Sequence, residues 1–339
     1  MAFSHPYFIT LAISFIITFA VVPYLIKKMK ERGFVGVDIN KVEGGLNLGE
    51  MKQLKAVEVK EAKGKPHLVP RGGGIAVITG FTVGMLFSLV LMPEQKIDLA
   101  LGGLLSITLI AMIGIIEDFI PLRQVYRTVL PAFAALPLMV LNAGTAMMTL
   151  PFIGDVHFGV VYPLILIPLG VIVCSNLINL LAGFNGLEAG VGVVASTGLF
   201  GAAYLLGRPE SAFIAVALFA SCLAFLFFNW YPAKIFPGDS ATYVIGGAIA
   251  SAIIIGNMER VGVILLMPQI IEFFLKARSK FRAENFGTLR KGRLHYAGRV
   301  YSLTHVVMKL FKPTEKQLVA ILLLFQAVFA FLGITSIYW

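Results

Sequence analysis

The sequence predicts an all-α fold, a polytopic membrane protein of about ten transmembrane helices with the N- and C-termini outside. Three observations lead there. Of 339 residues, 58% are hydrophobic and only 14% charged, with a mean hydropathy of +0.86. Apolar runs of about 18 residues or more recur along the chain, the length a helix needs to cross a hydrocarbon layer ~30 Å thick. Basic residues are also segregated. Every Lys and Arg except Lys96, Arg208 and Arg260 lies in or directly beside the segments 27–72, 117–127, 179–186, 230–239 and 277–316. The positive-inside rule puts those segments in the cytoplasm. Nothing divides the chain, so a single integral-membrane domain over 1–339 is expected, with long cytoplasmic loops at 29–71 and 277–315.

In order, the expected spans are 5–26, 73–92, 99–116, 128–147, 158–178, 187–206, 211–229, 240–257, 259–276 and 317–338. Charges follow the first apolar run instead of preceding it, and no small-residue cleavage pattern comes next, so 5–26 reads as a retained span. The polar segment 42–66 fits a short interfacial or solvated helix. Pro70-Arg71-Gly72-Gly73-Gly74 then leads into the second span. Its glycines permit close backbone approach, but no Gly-Lys-Ser/Thr follows, so it is not a Walker loop. Cys174 and Cys222 fall inside apolar runs and read as buried small side chains, not as a disulfide or metal pair.

Four polar constellations interrupt this pattern, and all belong to the basic, inward side. The first is Asn176-Leu-Ile-Asn179-Leu-Leu-Ala-Gly-Phe-Asn185-Gly-Leu-Glu188 at the end of the fifth span. Polar groups are costly in hydrocarbon, so such a cluster must be satisfied by its own members, by water or by a ligand; Asn176 and Asn179, three apart, share a helix face. The second is Glu117-Asp118 at the inner end of the third span, followed by Arg123 and Arg127, where adjacent acids suit metal binding or proton transfer. In the third, Asn229-Trp230-Tyr-Pro232-Ala-Lys234-Ile-Phe236-Pro-Gly238-Asp239, the last residue is either an N-cap of the eighth helix or a metal ligand. The fourth is Arg290-Lys291-Gly-Arg293-Leu-His295, whose guanidinium groups suit phosphates. Their shared side points to phosphoryl or phosphosugar transfer at the membrane surface, with Mg²⁺ (or Mn²⁺ in its place) held by Asp239 and an amide oxygen.

These residues resemble the polyprenyl-phosphate N-acetylhexosamine-1-phosphate transferase family (glycosyltransferase 4 type) from Gly36-Val-Asp38-Ile-Asn40-Lys41 to the last loop. The stretches 179–190 and 229–239 are most similar to the dolichyl-phosphate N-acetylglucosamine-1-phosphate transferases, in an archaeal-type member. The resemblance implies a ten-helix fold and transfer of N-acetylglucosamine-1-phosphate from UDP-N-acetylglucosamine to polyprenyl (dolichyl) phosphate with release of UMP, the first step of lipid-linked oligosaccharide synthesis for N-glycosylation. It implies Mg²⁺ on Asn179 and Asp239, uracil contacts from Asn185 and Phe236, and diphosphate contacts from Arg127 and Arg290. The expected catalytic residues are Asp118, Glu117 and Asp239, the first two orienting or deprotonating the acceptor. Lys41, Asn176, Glu188, Arg293 and His295 complete the expected substrate contacts. Expected partners are the UDP-sugar donor, the lipid phosphate acceptor and the bilayer of the cell membrane, with a second copy of the chain as a further candidate and no nucleic acid. Where the family usually has Asp-Asp, this chain has Glu117-Asp118. The cell-wall branch's histidine-rich motif is absent, which argues against a muramoyl-pentapeptide substrate, and Arg71 aligns with the eukaryotic sugar-recognition Glu. The competing readings are the same transfer with another UDP-N-acetylhexosamine for a cell-surface polymer, and an anionic-lipid transporter.

Overall fold

The computed structural model describes residues 5–38, 68–150 and 154–339. The segment 42–66 and Lys41, both assigned roles from sequence, lie outside the described residues. Helix α1 (His5–Glu31) leads to strand β1 (Val35–Val37), which pairs antiparallel with β2 (Leu68–Pro70). Helices α2 (Gly74–Leu91) and α3 (Glu94–Phe119) follow, then three short helices, α4 (Gln124–Val129), α5 (Pro131–Ala134) and α6 (Leu136–Val140). A hairpin of β3 (Met147–Leu150) and β4 (Gly154–His157) precedes a π-helical turn, Tyr162–Leu166, that runs into α7 (Ile167–Leu180). The remainder is α8 (Leu187–Leu205), α9 (Pro209–Asn229), α10 (Asp239–Gly256), α11 (Glu259–Leu265), α12 (Met267–Ala277), a hairpin of β5 (Thr288–Arg290) and β6 (Arg293–His295), α13 (Leu303–Phe311) and α14 (Glu315–Thr335).

Among the described residues eight helices are long and apolar enough to cross a membrane: α1, α2, α3, the continuous Tyr162–Leu180 segment, α8, α9, α10 and the α14 helix with its terminal turn. The expected spans 128–147 and 259–276 are instead chains of shorter helices. Pro131 and Pro137 sit in the first turns of α5 and α6, and Pro268 in the first turn of α12. Proline lacks an N–H and clashes with the carbonyl one turn back, so each begins a new helix where hydropathy alone reads a continuous one.

Helix α10 is the centre of the bundle: every residue from Ser240 to Gly256 is buried, and it packs against α2, α3, α7 and α9. Apolar helices gain no hydrophobic energy from each other in lipid, so association depends on close backbone packing. Small residues supply it. A Cβ on Gly246 would lie 2.5 Å from the Cys174 carbonyl oxygen, and one on Gly114 2.7 Å from Ser240 Cα. Large apolar side chains such as Phe8, Val90, Val140 and Phe331 point outward, as a lipid-facing surface requires. Cys174 and Cys222 are buried free thiols, in line with the sequence reading.

The α1–α2 contact repeats this at helical spacing. Gly80 and Gly84 of α2 face Ser14 and Thr18 of α1, and a Cβ at either glycine would fall 1.8 Å from a side-chain oxygen there. Gly80→Leu is therefore expected to destabilise the protein by roughly 1–3 kcal/mol or more through overpacking, read as a lowered melting temperature in detergent. An unchanged melting temperature would show that the two helices separate without consequence.

At one end of the bundle the connecting segments converge. Phe236 N–H donates to the Pro70 carbonyl at 2.7 Å, Gly73 N–H to the Phe236 carbonyl at 2.9 Å, and Gly74 N–H to the Pro237 carbonyl at 2.7 Å. Gly73 and Gly74 are needed for that approach: a Cβ on Gly73 would meet the Phe225 ring at 2.4 Å, and one on Gly74 the Ala241 nitrogen at 2.3 Å. These two amides are thus spent on backbone carbonyls. At the opposite end, Lys96 pairs with buried Glu210 at 2.9 Å, and Tyr162 OH donates to Glu259 at 2.6 Å.

Candidate active site

The converging segments enclose a cavity of about 770 Å³ lined by Asp38, Arg71, Asn179, Asn185, Glu188, Asn229, Phe236, Asp239, Lys276 and Asn285, among others. Asn179 reaches it from the last turn of α7, and Asp239 is the first residue of α10. Asn179 Nδ2 donates to Asp239 Oδ1 at 2.9 Å across 60 residues of sequence. Arg127 Nη2 lies 3.6 Å from the same oxygen, and its Nη1 is 3.2 Å from Glu117 Oε1. The Arg127 backbone is fixed as well, its carbonyl accepting from Tyr243 OH at 3.0 Å, while Glu117 Oε2 accepts from Leu122 N–H at 2.9 Å. Glu117, Arg127, Asp239 and Asn179 therefore form one chain of polar contacts leading to the cavity wall.

Asp118 does a different job from Glu117. Its Oδ1 accepts from Asp239 N–H at 2.6 Å, and its Oδ2 accepts from Ser240 N–H at 3.2 Å and from Ser240 Oγ. The first amides of a helix have no intrahelical partner, and here a carboxylate from α3 satisfies them. The residue before α10 is Gly238, at φ +76°, where a Cβ would crowd the Asp118 carboxylate at 2.5 Å. Asp239 accordingly does not cap its own helix through its side chain. Asp118 supplies the cap and so sets where the Asp239 carboxylate stands.

The loop after α7 is stitched from several elements. Glu188 Oε1 accepts from Gly183 N–H at 2.9 Å, and its Oε2 is buried without a hydrogen-bond partner among the described residues. Asn185 donates its backbone N–H to Glu315 at 2.8 Å and its Nδ2 to Asp38 at 3.0 Å. Gly186, at φ +87°, donates to Asn229 Oδ1 at 3.1 Å. Asn285 Nδ2 donates to the Leu180 and Ala182 carbonyls, tying the last loop to this one. Beneath that loop His305 is buried and stacked on Tyr296 at 3.6 Å. Burial, with Lys276 nearby, lowers its pKa to about 4, so it stays neutral at physiological pH.

Several expected contacts are thus brought together: Asn179, Asn185, Glu188, Phe236 and Asp239 line one cavity, with Arg127, Glu117 and Asp118 directly behind Asp239. Others are not. Asn176, one turn deeper in α7, donates Nδ2 to the Ile172 carbonyl at 2.8 Å and is not part of the lining. Arg290, Arg293 and His295 sit on the β5–β6 hairpin away from the lining, and Arg293 donates to the Lys312 carbonyl at 3.2 Å. A hairpin turns its charged side chains to water where hydrophobic spacing gives no register, and the basic run could not show that. Conversely Asp38, Asn229, Lys276 and Asn285 line the cavity although the sequence assigns them no role, and Arg71, aligned with the eukaryotic sugar-recognition Glu, lines it as well. Asp38 and Asn229 lie in the motifs that begin at Gly36 and Asn229, whereas Lys276 and Asn285 carry no local signal.

The donor set suits a hard cation. Asp239 offers a partly exposed carboxylate to the cavity, Asn179 an amide that presents its oxygen after rotation, and Glu188 an unpartnered buried oxygen beside them. Among the described residues no group of three or more His, Cys, Asp or Glu is arranged to hold a metal. A cation here would therefore complete its shell with substrate phosphate oxygens and water, as Mg²⁺ commonly does.

Residues 100–257 match the model of glycosyl transferase family 4. Across 325 residues, covering 95% of this chain and 94% of the relative, the sequence is 37% identical to a protein of Saccharolobus solfataricus provisionally named UDP-N-acetylglucosamine–dolichyl-phosphate N-acetylglucosaminephosphotransferase. The Dictyostelium discoideum protein of that name is 25% identical, over 94% of this chain and 85% of its own length. A phospho-N-acetylmuramoyl-pentapeptide-transferase of Moorella thermoacetica is 31% identical over 69% of this chain and 81% of its own. With its apolar helices, its polar end cavity and 37% identity to a relative over 95% of its length, this integral membrane protein belongs to glycosyl transferase family 4.

Proposed function

We propose that the protein transfers N-acetylglucosamine-1-phosphate from UDP-N-acetylglucosamine to dolichyl or another polyprenyl phosphate, releasing UMP, on the cytoplasmic face of the cell membrane. The observation that carries this reading is the meeting of Asn179 and Asp239 on the wall of a cavity where the bundle reaches its basic end. The relatives' names supply the sugar and the lipid. A phosphate oxygen of the acceptor attacks the phosphorus that bears the sugar, a new P–O bond forms, and the bond to the uridylyl oxygen breaks so that UMP departs with the electron pair.

The acceptor phosphate, with a second pKa of ~6, is already mostly ionised at neutral pH, so positioning matters more than proton removal. Asn179 and Asp239 would hold Mg²⁺, which supplies charge neutralisation for phosphoryl transfer when bound. Arg127 holds the Asp239 carboxylate toward the cavity, Glu117 holds Arg127, and Asp118 fixes the start of α10. Asn185 and Phe236 contribute the donor subsite, and Lys276 and Arg71 place positive charge on the same wall for the donor's diphosphate.

Purified protein incubated with dolichyl phosphate and a panel of UDP-sugars tests the reaction. UMP release is expected with UDP-N-acetylglucosamine and is expected to cease when Mg²⁺ is chelated. Release with a different UDP-sugar alone would replace the donor, and no release with any would overturn the reading. For the membrane side, cysteines introduced near Lys55 and Lys291 are expected to react with an impermeant reagent from the cytoplasm, and one near Pro209 from outside. Labelling of all three from one side would remove the cytoplasmic assignment.

A further inference from the structure

Asn185, on the cavity wall, is held through both its backbone and its side chain. Its backbone N–H is taken by Glu315 from the start of α14, its Nδ2 by Asp38 from the end of β1, and the next amide, Gly186 N–H, by Asn229 from the end of α9. Asp38 and Asn185 are both buried. The Asp38 contact has a chemical consequence. Because Asp38 Oδ2 accepts from Asn185 Nδ2, it holds the NH₂ end of the amide and turns the carbonyl end away from itself. Asn185 lines the cavity, and among the described residues none donates to its Oδ1, which is also not among the fully buried polar atoms left without a partner. The site therefore presents a fixed acceptor in a cavity that Phe236 also lines.

Pyrimidine bases differ at the edge such an acceptor would meet. Uracil carries an N3–H donor, whereas cytosine has a lone pair at N3, so an acceptor that cannot rotate favours the first and opposes the second. We propose that Asp38 is a positioning residue that sets the nucleobase specificity of the donor subsite, by locking the Asn185 amide so that its oxygen accepts from the imide N–H of uracil. The inference rests on the UDP-sugar reading above and adds to it the group that enforces the base.

Asp38→Asn tests the lock. An amide at position 38 can donate to Asn185 Oδ1, which lets the Asn185 side chain turn its NH₂ to the cavity, where it suits the cytosine edge. The experiment compares kcat and KM for UDP-N-acetylglucosamine and CDP-N-acetylglucosamine in the parent protein, Asp38→Asn and Asp38→Glu, with melting temperatures alongside. In Asp38→Asn the preference for the uridine donor is expected to fall by roughly 10- to 100-fold, the scale of one hydrogen bond lost or misdirected at a buried site, mainly through KM. Asp38→Glu, which keeps the carboxylate, is expected to retain most of the preference. A parent-like ratio of the two donors in Asp38→Asn, even in a slower or less stable protein, overturns the proposal. Should that variant fail to fold, binding of UMP and CMP to the parent decides: equal affinities overturn the lock. A parent that uses UDP-N-acetylglucosamine while either negative result holds loses this inference alone, whereas a parent with no activity on any UDP-sugar loses the functional reading as well.

Discussion

Asp239→Ala is expected to lower UMP release by at least ~10²-fold, the scale on which one electrostatic group at a transferring centre acts, while the protein remains folded and extractable. The carboxylate is the point at which Asn179 and Arg127 meet, at 2.9 and 3.6 Å. Removing it takes away the anionic oxygen that Arg127 contacts and that the proposed cation would share. It does not remove the cap of α10, because the backbone amides of Asp239 and Ser240 are held by Asp118 and remain so when residue 239 is alanine. The remaining structural cost is the favourable placement of an acid at a helix N-terminus, worth about 0.3–1 kcal/mol. Turnover at saturating donor and acceptor, measured beside a detergent melting curve, separates the two roles. Full Mg²⁺-dependent activity with a lowered melting temperature would mean that Asp239 serves only the helix.

Asp118→Asn is the second large effect, with an expected loss of about 10²-fold or more in kcat. The two carboxylate oxygens receive three donors: two backbone N–H groups and the Ser240 hydroxyl. Asparagine replaces one acceptor by an NH₂ that faces another N–H, so one helix amide loses its partner and the first turn of α10 shifts with Asp239 on it. Since Asp118 acts through Asp239, the Mg²⁺ concentration for half-maximal activity is expected to rise, a change that mere loss of stability would not produce. Glu117→Asp, in contrast, is expected to be tolerated. Arg127 keeps its second contact at Asp239 and its backbone bond from Tyr243 when the Glu117 carboxylate retreats by one methylene. Near-parent turnover in Asp118→Asn together with a dead Glu117→Gln would reverse these roles.

These two residues also show what adjacency in the chain leaves undecided. Glu117 and Asp118 stand side by side in sequence, and a helix turns their side chains ~100° apart, which argues for separate roles but not for which role belongs to which. Only the packing of α3 against α10 puts Asp118 under the amides of the helix start and turns Glu117 toward Arg127. The capping role that composition allowed for Asp239 passed in the same way to a residue 121 positions earlier.

The sequence by itself determined that this is a helical membrane protein, which end of the bundle carries the polar chemistry, and which motifs build it. Hydrocarbon tolerates only long apolar helices and leaves polar side chains few places to stand, so length and charge distribution are strong constraints. Tertiary structure alone decided the rest: that Asn179 reaches the cavity while Asn176 spends its amide on its own helix, that the β5–β6 arginines lie apart from the lining, and that Asp38, Arg71 and Lys276 join it. Each of these depends on a direction in space or on contact between elements far apart in the chain, and neither spacing nor hydropathy encodes which partner a side chain will meet.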